Sequence, residues 1–424
     1  MKKIVLSSLL VLCLTGVSLA QSAKSIPAAK PEDVGMSSER LTRLDKTIES
    51  YVQQQWIPGA VVLIVRNGKV AYHKAYGYSD VENKTTLKKD DIFRIASQSK
   101  AITSLAVMML WEEGKFLLDD AVSKYIPEFK NPTVLKSYNP ADSSYSTEPA
   151  KSEITIRQLL THTSGIDYAA IGSNEFKAVY AKAGVPSGIG TNDAVLGDKM
   201  KILGKLPLKH QPGEKWTYGL NSDVLGYLVE VLSGMTFDGF LRKRIFEPLG
   251  MNDTYFYLPK EKYHRLVPLY QDKNGKVVKM TATVYDKVNL DYPKSPGKYF
   301  SGGAGLSSTA EDYAKFLQLF LNGGQYNGVR LISRKTVELM LTNQQVQIAN
   351  ANPFGLGFGL ETTANDYQSP SSIGTFAWGG AFNTHYWGDP KEKLVILLYT
   401  NIYQTSHWSL GEQFKTLAYQ AIVD

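Results

Sequence analysis

A chain of 424 residues with 43% hydrophobic and 21% charged residues has the composition of a globular protein large enough to bury a sizeable core. Its formal charge of +7 comes from scattered lysines and arginines with only short clusters such as Arg242-Lys243-Arg244, so no nucleic-acid partner is expected. The six histidines stand far apart, without a His-Glu-x-x-His or His-x-His pattern, which argues against a zinc hydrolase.

Met1 to Ala20 reads as a secretory signal peptide. Lys2 and Lys3 precede an apolar run from Ile4 to Val17, and Ser18-Leu19-Ala20 forms a small-residue cleavage site. The run is short for a membrane span, so stable membrane insertion is not expected. The single cysteine, Cys13, lies inside it and follows Leu12, where a lipoprotein site needs a small residue. A mature chain of this kind has neither disulfides nor a thiol nucleophile, and its expected place is secreted or periplasmic.

Ser38 to Gln55 carries Leu41, Leu44, Ile48 and Tyr51 on one face, the spacing of an amphipathic helix. The β-rich runs 60–66 and 69–77 flank Asn67-Gly68, a strong hairpin signal. Helical periodicity then dominates at 97–114, 155–161, 222–233 and 237–246. Gly/Ser/Pro-rich connections at 138–151 and 184–193 separate these runs. A helix at 310–321 precedes strand-like runs at 375–378, 385–388 and 394–400, and 408–423 reads as a final helix. Strands near both chain ends with helices between them imply one composite sheet interrupted by a helical insertion. The expected division is 21–96 with 300–424 for the sheet domain and 97–299 for the mostly helical one.

Ser97 and Lys100 stand three residues apart at the start of the 97–114 helix, where both side chains share one face. A hydroxyl beside an amine is the minimum equipment of an acyl-transfer nucleophile, and a helix start favours developing negative charge. Ser97 as a helix N-cap explains the same residue type equally well. A second Ser-x-x-Lys at Ser295 encloses Pro296 and Gly297, which forbid a helical turn.

A serine nucleophile needs a proton acceptor, and Tyr218 is the candidate. It sits between the Pro212-Gly213 turn and a helix capped by Asn221 or Ser222. An ordinary half-buried tyrosine remains the alternative. In Trp378-Gly379-Gly380-Ala381, paired glycines inside a strand suggest close approach of another backbone, though a bulge reads the same way. Such an edge can complete an oxyanion hole with the N–H of Ser97.

Taken together and in order, several segments resemble the serine β-lactamase and penicillin-binding-protein superfamily. They are Ser97-Gln98-Ser99-Lys100, Leu159-Leu160-Thr161-His162-Thr163-Ser164-Gly165, Tyr218 after Pro-Gly and Trp, Glu247-Pro248-Leu249-Gly250-Met251, Gly302 to Ser308, and Trp378-Gly379-Gly380. The nearest branch is the class C β-lactamase-like group, family VIII carboxylesterases in particular, and the likeness spans about residues 30 to 420. It implies an α+β fold: an antiparallel sheet built from both chain ends and flanked by helices, with an inserted mostly helical domain and a cleft between. It further implies Ser97 as acylated nucleophile, Lys100 as proton shuttle and Tyr218 as its base partner. Ala381 would supply the second oxyanion N–H beside that of Ser97. Trp378, Gly379 and Gly380 would line the substrate, and the segment around His162 would support the site.

Two departures bear on the substrate. The asparagine that many members carry two residues after the tyrosine is Leu220 here, leaving Asn221, one residue late, as a candidate substrate contact or a mere cap. Trp378 stands where many members have Lys or His to hold a substrate carboxylate. Both changes favour a carboxylesterase on small acyl esters over a DD-peptidase, D-aminopeptidase or class C-type β-lactamase. A catalytically silent binding module is the alternative of another class. The implied reaction requires no metal or organic cofactor. No Gly-x-Ser-x-Gly elbow occurs, which argues against the α/β-hydrolase route.

Overall fold

The computed structural model describes residues 25–190, 193–285, 288–348 and 351–424, so the expected signal segment lies outside the described residues. Seven strands form the main sheet: β1 (Gly59–Arg66), β2 (Lys69–Asp80), β3 (Thr85–Thr86), β4 (Gly359–Leu360), β5 (Phe376–Gly380), β6 (Thr384–Asp389) and β7 (Leu394–Tyr399). Their order across the sheet is β4-β5-β6-β7-β1-β2-β3, and each neighbouring pair is antiparallel. The two chain ends meet where β1 pairs with β7, Leu63 opposite Leu397.

Burial on both faces explains why β1 is an unbroken apolar run. Val61, Leu63 and Val65 enter one hydrophobic core, whereas Val62 and Ile64 enter another on the opposite face. Helices α1 (Ser38–Gln53) and α5 (Leu410–Tyr419) cover the second core with Leu41, Leu44, Ile48, Leu410 and Phe414. The first core is filled by α2 (Ser99–Glu112), α3 (Asn221–Ser233) and α4 (Ala310–Leu321).

Helix α2 is buried on all sides from Ser99 to Leu110, rather than along one stripe. Its polar members must therefore find partners inside the protein. Thr103 does so by donating to the Gly302 carbonyl at 2.7 Å.

Residues 97–299 are less purely helical than the sequence suggests. A hairpin of Thr133–Tyr138 with Tyr145–Pro149 reaches into the connection expected to be irregular. Its strands are largely exposed, so they lack the apolar alternation that marks a half-buried strand. Tyr270–Lys273 pairs with Lys276–Lys279 and, in parallel, with Ile402–Tyr403. That pairing ties part of the expected helical segment back to the C-terminal end of the chain. The expected helix at 237–246 begins as Phe237–Leu241 and continues as a π turn, Arg242–Phe246.

Candidate active site

Ser97 lies on a 3-10 turn, Ala96–Gln98, immediately before α2. The N-cap position of α2 belongs to Gln98, and no side chain caps it, so Ser97 is not held there as a helix cap. The turn is sharp: Ala96 adopts φ 42°, in the left-handed region that disfavours a side chain. Neighbouring bonds hold it in place. The Ser99 hydroxyl donates to the Ala96 carbonyl at 2.7 Å and accepts from the Leu306 N–H at 3.1 Å. Gln98 accepts from the Tyr399 hydroxyl through its side chain and from the Tyr313 hydroxyl through its carbonyl.

Lys100 points from the next turn back to Ser97. Its Nζ donates to the Gly303 carbonyl at 2.7 Å, to the Tyr168 hydroxyl at 3.0 Å and to Ser97 Oγ at 3.3 Å. Three acceptors match the three hydrogens of an ammonium group. The same nitrogen stands 4.5 Å from the ring centroid of Tyr218, a cation–π distance. The Tyr218 hydroxyl contacts Trp378 Nε1 at 3.4 Å. Among the described residues, the phenol bonded to Lys100 is thus Tyr168, and Tyr218 lies across the ammonium with its ring face.

The aromatic surroundings fix Tyr218. Trp216 stacks on it at 5.7 Å, and His162 and Trp378 lie at 5.0 and 5.8 Å between centroids. His162 is buried, and burial together with the Lys100 charge pushes its imidazole well below the usual range. A neutral ring accepting the Asn221 amide at Nδ1, 3.0 Å away, fits that environment.

Asn221 needs correction. It is fully buried, held by His162 on one side and by the Ser164 hydroxyl, 2.5 Å from Oδ1, on the other. Both ends of its amide are spent inside the protein, so it does not line the cleft. It braces the His162 segment against the start of α3.

Two buried groups beside Lys100 escaped the sequence reading. Burial, reinforced by Tyr218 and Asp223, pushes Tyr168 well above the ordinary phenol range, so it remains a neutral hydroxyl. Asp223, on α3, is wholly buried, and neither carboxylate oxygen makes a hydrogen bond of good geometry. Burial pushes it up to about 6, opposed by Ser301, the Lys100 charge and the N–H groups of Gly303 and Gly302. An added Cβ at Gly303 would lie 3.2 Å from Asp223 Oδ2, 3.3 Å from the Tyr168 hydroxyl and 3.5 Å from Lys100 Nζ. A side chain at 303 would crowd the point where those three groups converge. The available signals were Tyr168, three residues after Gly165, and the acidic residue in the run Asn221-Ser222-Asp223. Neither spacing announces a contact with Lys100.

On the opposite side, the end of β5 passes against the Ser97 turn. A Cβ at Gly380 would fall 2.4 Å from the Ile95 carbonyl, which accounts for the glycine. The following Ala381 faces the same small cavity as Ser97, about 40 Å³, with Tyr168, Ile189, Tyr285 and Ala304 around it. A larger cleft of about 720 Å³ begins at Trp216 and Trp378 and runs along Gly379, but it does not reach Ser97 itself. Ser97 lines only the smaller space.

The arrangement has relatives. The family described as Beta-lactamase matches residues 44–417. Protein Rv1367c of Mycobacterium tuberculosis (strain ATCC 25618 / H37Rv) is 32% identical over 357 residues, covering 80% of this chain and 85% of the relative. Esterase EstB of Burkholderia gladioli is 30% identical over 407 residues, covering 92% of this chain and 95% of its own. Among solved structures, EstCE1, described as a hydrolase with promiscuous acyltransferase activity, superposes with a TM-score of 0.76 at 26% identity. That match covers 90% of this chain and 99% of EstCE1.

Proposed function

The chain belongs to the β-lactamase family and is a serine hydrolase, and from that premise we propose that it is a carboxylesterase for small acyl esters, working through an acyl-enzyme on Ser97. The observation that carries this reading is the hydrogen bond from Lys100 Nζ to Ser97 Oγ, in a site where the amine is otherwise wholly enclosed. Ser97 Oγ attacks the ester carbonyl as its proton passes to the phenol oxygen of Tyr218, acting in its anionic form beside the Lys100 ammonium. The N–H groups of Ser97 and Ala381 receive the developing oxyanion. That phenol then protonates the leaving alcohol, and water repeats the sequence to release the acid and restore Ser97.

The small apolar cavity beside Ser97 supports a short acyl group. Trp378 at the opening of the third motif, with Asn221 turned inward, supports a neutral ester over a β-lactam carboxylate or a D-alanyl peptide. A secreted or periplasmic setting accords with the signal-like segment at 1–20. Turnover of p-nitrophenyl acetate, a chromogenic cephalosporin and a D-alanyl-D-alanine peptide, assayed side by side, tests the proposal. Rapid release from the first is expected. Rapid turnover of either of the others with none of the first would overturn it.

A further inference from the structure

Beyond Tyr218 the molecule holds a second space that this chemistry does not use. The cleft of about 720 Å³ takes in four of the six tryptophans of the chain: Trp216, Trp378, Trp387 and Trp408. Two of them are unusually open for indoles, Trp408 at 47% and Trp216 at 36% of full exposure. The cleft is continuous with the site through the rings that flank the proposed base, since Trp216 and Trp378 both pack on Tyr218. From there it rounds β5 beyond the short pairing with β4, which ends at Ala377. It continues over Gly379, where no side chain obstructs it, toward α5.

Tyr218 links the two spaces: its ring packs on Tyr168, in the wall of the small cavity at Ser97, and on Trp216 and Trp378, in the wall of the groove. In an ester, the acyl and alcohol halves lie on opposite sides of the reacting carbonyl. With the acyl half in the small cavity, the alcohol protonated near Tyr218 extends past Trp378.

The groove pairs flat aromatic faces with hydrogen-bonding groups at its walls. Its accessible polar groups are Lys215 and Glu412, each with a side chain 67% exposed, and the exposed Asn352. Gln368 stands exposed on the opposite stretch of the lining. Indole faces combined with acceptors suit a ring that is apolar on its faces and hydroxylated at its edge. A quaternary ammonium also suits aromatic cages, but the charged residues of the lining, Lys215 and Lys415 against Glu361 and Glu412, balance, with Lys415 paired to Glu412, so no net charge draws a cation there.

We propose that this groove is a leaving-group subsite for a saccharide, so that the substrates are short-chain acyl esters of sugars. The inference rests on the esterase reading above, and its test separates the two. Hydrolysis of monoacetylated cellobiose is compared with that of ethyl acetate, in the wild type and in Trp408→Ala, a substitution at an exposed position remote from Ser97. The wild type should prefer the sugar ester. Trp408→Ala should raise KM for it by about tenfold, the scale of one lost ring contact, and leave ethyl acetate turnover within about twofold. Glu412→Gln should act in the same direction. Equal preference for the two esters, or an equal loss on both, would overturn the subsite. If neither ester is hydrolysed, the esterase reading falls. Quenching of tryptophan fluorescence by free cellobiose then still decides the groove: saturable quenching weakened in Trp408→Ala supports it, and none refutes it.

Discussion

Behind Tyr218, the polar side chains of Lys100, Tyr168 and Asp223 are 3%, 5% and 0% exposed and converge on Gly303. In front of it, Phe354 meets Trp216 at a tilt and Trp378 edge-on, at centroid separations of 6.3 and 5.4 Å. The first region is specified atom by atom, because a buried polar group that loses its partner pays the full desolvation cost. The second is specified only by shape, and shape tolerates substitution. The difference teaches where catalytic power and where substrate choice should reside: the buried cluster sets the rate, and the aromatic face sets which alcohol is accepted.

The sharpest way to break that division is Lys100→Met, which removes the amine and keeps the apolar stem. Turnover of p-nitrophenyl acetate should fall by roughly 10³-fold or more, with little change in KM, because the loss is of proton transfer. A change confined to KM would place Lys100 in binding.

Next in size is a contrast between the two phenols. Tyr218→Phe should cost roughly 10²–10³-fold in kcat, as expected for a general base, whereas Tyr168→Phe removes one acceptor from Lys100 and should cost about tenfold. The reverse order would make Tyr168, the phenol that actually bonds to Lys100, the proton acceptor.

Asp223 sharpens the comparison through stability. Its folded value of about 6 exceeds the ordinary 3.8, so the native state binds the proton more tightly than the unfolded chain. The resulting stabilisation is complete below the unfolded value and is lost as pH rises through the folded one, about 3 kcal/mol in all. Chemical denaturation between pH 4 and 7 should show this decline in the wild type, and Asp223→Asn should flatten it. An unchanged slope in the variant would assign the pH dependence elsewhere.

The smallest effect is expected on the aromatic side. Phe354→Leu should shift stability by about 1 kcal/mol and leave p-nitrophenyl acetate turnover within about twofold, because only ring packing is lost. A loss of turnover comparable with that of Tyr168→Phe would erase the distinction between the two regions.

The same contrast governs what was legible in the sequence. The strands at 59–66, 376–380, 384–389 and 394–399 were readable because burial imposes an apolar pattern on neighbouring positions. Ser97 and Lys100 were readable because three residues on a helix is a local spacing. Tyr168 and Asp223 were not, because they reach Lys100 from 68 and 123 positions away and no local periodicity encodes that meeting. Asn221 was misread for a related reason. Its place beside Tyr218 suggests the cleft, but the first turn of α3 directs its amide inward to His162 and Ser164. The hairpin at 133–149 escaped because its largely exposed strands bury only Val134, too little to leave a pattern.

The most direct test of the account is intact-mass measurement after exposure to a fluorophosphonate. The wild type should gain one adduct, mapped to Ser97, and Ser97→Ala should gain none. An unmodified wild type, or an adduct that persists in Ser97→Ala, would contradict the assignment of Ser97 as the nucleophile.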